Sequence, residues 1–247
     1  MTNDTLLLTV AAFSVGIVHA ILGPDHYVPF VAMAQARQWT TRATLTVTAI
    51  CGIGHVAGSV ILGLVGLALG TMVMHLETVE AVRNDLAAWM LIGFGLAYLS
   101  WSLVQAYRNV PHTHLHRHAD GTVHIHPHTH HGDHMHLHES PGNHLLSKKI
   151  RPVRWIMFVI FILGPCEPLI PLFIYPAATT SDTMEQIIAI ASVVTAFAVA
   201  TVLVMTLSVF AIQSGLRKTT DMTLSRFGHA IGGLTILVCG ISVKFGF

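Results

Sequence analysis

The sequence predicts an all-α integral membrane protein of about six transmembrane helices, arranged as two inverted three-helix repeats. Three observations carry this. The 247 residues are 53% hydrophobic and 10% charged, with a mean hydropathy of +0.64, whereas a soluble domain carries about 25% charged residues. The apolar residues fall in runs near or above the roughly 20 needed to cross a bilayer. Lys and Arg sort onto alternate connections between those runs.

Taken in order, the spans are expected at 6–32, 44–74, 86–107, 153–177, 186–213 and 227–245. The first follows a start, MTND, with no Lys or Arg before the apolar run. A secretory leader normally has a basic n-region, so this segment is kept as a span. The second run is long enough to tilt or to extend past the membrane. One long polar segment, 108–150, separates two halves, 1–107 and 151–247. Eleven of the 13 basic residues, Arg37 and Arg42 first among them, fall on the connections after spans one, three and five. Only Arg83 and Lys244 fall on the opposite side, among Glu77, Glu80, Asp85, Asp182 and Glu185. The positive-inside rule then puts both termini outside the cell (inner) membrane and the 108–150 loop in the cytoplasm. A formal charge of +1 suggests no nucleic-acid partner. Cys51, Cys166 and Cys239 lie in apolar stretches without CxxC spacing, so no disulfide framework is read.

A short repeat supports the two halves. Leu22-Gly23-Pro24-Asp25-His26 in span one is echoed by Leu163-Gly164-Pro165-Cys166-Glu167 in span four, 141 residues later, and a second proline follows at Pro29 and Pro171. Halves of three spans have opposite orientation, the plan of many transporters. Pro24 and Pro165 lack an N–H and clash with the carbonyls of Ala20 and Phe161, so both helices should kink or unwind near mid-membrane. Irregular backbone at that depth must be buried in protein or line a wet cavity. Were apolar residues to follow, a packing kink would suffice. Asp25, His26, Cys166 and Glu167 follow instead, and ionisable groups in hydrocarbon cost at least roughly 2.5–3.5 kcal/mol each.

His19 lies seven residues before His26, about 10.5 Å along an unbroken helix. The break could fold Asp25 and His26 back toward it. His55 adds an imidazole from span two, with Gly52 and Gly58 allowing close helix approach. One such histidine alone reads best as a satisfied core residue. His19, Asp25, His26, His55, Cys166 and Glu167 together read as a metal site. Imidazole, thiolate and carboxylate suit Ni, Co, Zn or Fe rather than Mg or Ca. His75 and His229 lie near span ends and read as interfacial, and Cys51 and Cys239 as small packing residues.

At these residues the sequence resembles the nickel/cobalt transporter superfamily, including its efflux and urease-accessory-like membrane branch. The matching elements are His19-Ala20 followed by Asp25-His26-Tyr27, then Gly54-His55, then Leu163-Gly164-Pro165-Cys166-Glu167. The spacing from His19 to Asp25 is one residue longer than the family's usual form, and Cys166 stands where an acidic residue is common. The resemblance implies transport of nickel or cobalt, by a carrier that is not an enzyme and holds no prosthetic group.

The loop carries His112, His114, His116, His118, His124, His126, His128, His130, His131, His134, His136 and His138, largely alternating with other residues. It has no helical period and several Pro and Gly residues, so it is expected to be disordered when metal-free. Such tracts bind metal through neutral imidazole; a polar spacer and a pH sensor are the other readings. As a cytoplasmic collector it slightly favours export over import. Expected partners are the lipid bilayer and metal ions, with a homo-oligomer or a cytoplasmic metal chaperone as further options. Rival functions are a non-transporting accessory protein that hands metal to a metalloenzyme, and a thiol-redox or anion carrier on a related fold. A redox carrier wants a cysteine in both halves, and Asp25 stands opposite Cys166. An anion path wants Lys or Arg beside these motifs, and the sequence places none there.

Overall fold

The computed structural model describes residues 3–68, 73–107, 112–117, 123–128, 146–164, 166, 168–179, 182–219 and 228–246. Apart from one hairpin these residues are overwhelmingly helical. The order is α1 (Asn3–Leu22), a 3₁₀ turn (Pro24–His26), α2 (Val28–Ala36), α3 (Thr41–Ala68), α4 (Val73–Tyr107), β1 (His112–Arg117), β2 (Val123–His128), α5 (Leu146–Leu163), α6 (Leu169–Thr179), α7 (Thr183–Thr219) and α8 (Gly228–Phe245).

Five of these helices are long and apolar enough to cross a membrane: α1, α3, the 77–105 part of α4, the 183–216 part of α7, and α8. Their outer faces stay apolar and uncovered, with Leu7 and Leu22 more than 70% exposed, as lipid-facing surfaces should be. Ends are set locally. Thr40 caps α3 by accepting from Ala43 N at 3.2 Å, and Asp182 caps α7 by accepting from Met184 N at 3.0 Å, the usual rescue of unpaired N-terminal amides. Gln38, at φ 51°, turns the chain after α2 while Trp39 N donates back to Ala34 O.

The sequence-expected third span began at 86, but α4 starts thirteen residues earlier, at Val73. Glu80, Arg83 and Asp85, expected in a connection, are therefore helical. The helix accommodates them because each cation has a carboxylate. Arg83 Nη1 meets Glu80 Oε1 at 2.7 Å, and Lys244 on α8 pairs with Asp85. The two basic residues on the minority side are thus both neutralised by a neighbour.

Both Gly-Pro segments interrupt their helices, at 23–27 between α1 and α2 and at 164–168 between α5 and α6. Around them α1 packs along α7, α3 lies against α7 and α5, α2 against α8, and α4 along α8. The last pair touches backbone to backbone. A Cβ added at Gly95 would lie 2.5 Å from Leu237 N, one at Gly233 2.6 Å from Leu99 N, and one at Gly240 2.8 Å from Ile92 N. Small residues let membrane helices approach this closely. Phe30, Met33, Met157, Met205 and Ile236 fill the core beside this seam, with Cys51 and Cys239 buried among them.

The long loop departs from the expected disorder at two places. The backbone of 112–117 pairs antiparallel with that of 123–128, setting His112 opposite His128, His114 opposite His126 and His116 opposite His124. His118, His130, His131, His134, His136 and His138 lie outside the described residues.

Candidate metal centre

The centre is built on the first break. Proline at 24 ends α1, Gly23 adopts an extended conformation (φ −89°, ψ 93°), and Pro24–His26 form one 3₁₀ turn before α2 begins. The turn closes on its own backbone: Gly23 N donates to His19 O, His26 N to Gly23 O and Tyr27 N to Pro24 O, at 3.0–3.3 Å. Interrupting the helix here brings the His19 and His26 rings to 4.6 Å between centroids, where an unbroken helix would hold them about 10.5 Å apart. His55, midway along α3, stacks parallel to His19 at 6.0 Å and edge-on to His26 at 5.0 Å. One donor nitrogen from each of His19, His26 and His55 lies within 4.8 Å of the others.

The ring nitrogens are not equivalent. His26 Nδ1 faces two oxygen acceptors, Gly23 O at 3.1 Å and Asp25 Oδ1 at 3.2 Å. His55 Nδ1 donates to Phe161 O at 3.1 Å. Oxygen acceptors place the ring proton on Nδ1, as second-shell partners do for metal-bound histidine. The two Nε2 atoms are left facing each other at 3.4 Å, and both are buried. A proton held by either ring would make this an N–H···N hydrogen bond, and a metal ion can take the same place. Metal–nitrogen bonds of about 2.0–2.1 Å at a tetrahedral angle hold two nitrogens about 3.3 Å apart, against about 2.9 Å at a right angle. Cys166, fully buried in the second break, brings Sγ to 4.0 Å from His19 Nε2. The donors assembled are thus three imidazoles and a thiol, beside a cavity of 30 Å³ lined by Asp25, His26, His55 and Gly164.

Asp25 was read from the sequence as a ligand. Its Oδ1 lies 3.2 Å from His26 Nδ1, where it can orient that ring. Glu167 lies outside the described residues. His229 is away from the cluster and accepts from Tyr98 OH at 2.8 Å. All three cysteines are free thiols.

One expectation is overturned. The sequence placed no cation beside either motif, yet Arg83 on α4 reaches the second break. Its Nη2 donates to Ile162 O at 3.0 Å and Gly164 O at 3.2 Å, and its Nη1 to Ser59 Oγ at 3.2 Å as well as to Glu80. Glu80 is fully buried. The error lay in reading the charged stretch after His75 as a connection. The i,i+3 spacing of Glu80 and Arg83 was the signal of a paired helical face.

No protein-family model, curated protein or solved structure matches the chain.

Proposed function

We propose that this membrane protein carries divalent transition-metal ions across the bilayer through the His19–His26–His55–Cys166 cluster, with Asp25 orienting His26. One observation supports this most: the Nε2 atoms of two buried imidazoles lie 3.4 Å apart, each ring's other nitrogen facing an oxygen, with a third imidazole and a thiol beside them. Burying unpaired polar groups is expensive, and a bound cation removes the expense. Nickel and cobalt are the cargo expected from the sequence resemblance. The near-tetrahedral spacing suits cobalt or zinc as it stands, while nickel, which favours tetragonal sites, would draw the rings closer.

In this reading α5 and α6 together make a sixth, broken crossing, and the chain is an inverted repeat. The packing supports it. The first helix of each half lies against the second helix of the other half, and the third helices lie against each other. Under the 141-residue offset, the approach of Gly16 to Phe197 on α7 has its counterpart near Gly54 and Phe158, where α3 meets α5. The basic residues then favour a cytoplasmic histidine loop, which serves as a metal collector.

The test is uptake into proteoliposomes of cobalt, nickel and zinc by the full chain and by His26→Ala. We expect saturable uptake of at least one metal by the parent and none by the folded variant. Metal bound at the cluster but not moved would favour an accessory role in handing metal to another protein.

A further inference from the structure

The second break is held by side chains from other helices, and one of them has no part in binding metal. A helix ends with unpaired carbonyls, and Pro165 removes the N–H that would have bonded Phe161 O. Gly164 N donates to Phe161 O at 3.1 Å in its place, and two other helices add donors to this end. His55 Nδ1 donates to Phe161 O, while the Arg83 fork donates to Ile162 O and Gly164 O. Arg83 also reaches Glu80 and Ser59, so four acceptors surround one guanidinium. Ser59 lies one helical turn beyond His55 along α3, about 6 Å toward the α3–α4 connection. The fork therefore lies between the metal cluster and that face of the membrane. Glycine at 58 makes the room, since a Cβ there would lie 2.6 Å from Ile162 O and 2.9 Å from Arg83 Nη2.

We infer that Arg83, held by Glu80, is a latch on the α5–α6 break: a positioning residue that keeps Cys166 in the cluster and shuts the path from the cluster toward the α3–α4 face. This deepens the proposed transport function and rests on it for its purpose. A guanidinium suits the task because its planar fork engages several oxygens at once and its charge complements the carbonyl end of α5. A lone arginine in hydrocarbon would be costly, and Glu80 offsets that cost. Only one carboxylate oxygen is used, however, and Glu80 Oε2 has no hydrogen-bond partner among the described residues. A doubly charged ion leaving the cluster toward that face meets this free oxygen and repels the guanidinium. The cargo itself thereby opens the latch.

The latch can be tested without metal, through the thiol it hides. In the full chain carrying Cys51→Ala and Cys239→Ala, Cys166 is the sole thiol, and its rate of alkylation by N-ethylmaleimide reports opening of the break. Arg83→Gln should raise that rate about ten-fold or more, with Glu80→Gln raising it less and Arg83→Lys least, in the manner of local opening. A companion chain retaining only Cys51, buried on α3, should react at the parent rate with or without Arg83→Gln. Equal rates at Cys166 in parent, Arg83→Gln and Glu80→Gln overturn the latch, and so does equal acceleration of Cys51, which would mean general loosening. If Arg83→Gln does not fold, Glu80→Gln, nearly the same shape, decides by the same rates. Cobalt absorption of the parent is read separately. Its absence sinks the metal reading, while the alkylation rates still judge the latch.

Discussion

The two breaks begin from the same three residues, and both close backbone hydrogen bonds of their own, but only the second also draws donors from distant helices. The first, Leu22-Gly23-Pro24, winds at once into a 3₁₀ turn and satisfies its amides and carbonyls from within the segment. Its side chains are free to face inward, and they supply His26 and the carboxylate behind it. The second, Leu163-Gly164-Pro165, closes Gly164 N on Phe161 O and Leu169 N on Cys166 O, but Arg83 meets Ile162 O and Gly164 O and His55 adds a bond to Phe161 O, 79 to 106 residues away in the chain. It gives the cluster one thiol. A segment that carries its own hydrogen bonds can stay rigid while neighbours shift, whereas one held by remote side chains is released when they are. The second break thus depends more on remote side chains than the first does.

Variants can break or sharpen that contrast. The largest effect should come from His55→Ala, which removes a ligand and a bond to Phe161 O together. The tight equivalent of cobalt should disappear from binding isotherms, and Cys166 should become open to alkylation. His26→Ala should abolish tight binding as well but leave Cys166 protected; if both variants expose it equally, the two breaks are not independent. Next comes Asp25→Asn, which keeps the shape of the first break but weakens the hold on His26. Loss of such an outer partner lowers metal affinity about 10- to 100-fold, with Cys166 unmoved. Metal loading of the parent should also release a proton to solvent, because coordination by Cys166 needs the thiolate, and pH measurement in weakly buffered solution would register it.

The smallest effect should come from the loop. Removing 112–138 should leave the tight equivalent in place and shift the half-maximal metal concentration for transport a few-fold, with the maximal rate kept, because a collector changes supply and not the moving step. Loss of the maximal rate in a folded deletion would put the loop on the pathway.

Proline chemistry is why so much of the first break was legible in the sequence. A missing N–H is local, so the breaks at Gly23 and Gly164 and the return of His26 toward His19 follow from residues within one turn. His55 could be named because an imidazole in an apolar run demands a partner, though not that its Nδ1 would go to Phe161. Arg83 and Glu80 were hidden for the opposite reason. Their place inside a helix depends on Ser59, Ile162 and Gly164, which only folding brings together, and before that they look like a polar connection. For Asp25 the sequence named a ligand and missed the contact with His26, because a carboxylate beside a histidine can bind the ion, steady the ring, or do one with each oxygen. Sequence gives the neighbour and not the angle.

The glycine seam between α4 and α8 has a mechanical consequence. Its contacts pair 92 with 240, 95 with 237 and 99 with 233, so the two helices run antiparallel in one constant register. Sliding either helix by a residue would drive side chains into backbone where glycines now sit, and interiors packed this closely resist such overlap. Turning about the line of contact meets no such obstacle. α4 and α8 can therefore pivot about their line of contact but not run along each other like a rail.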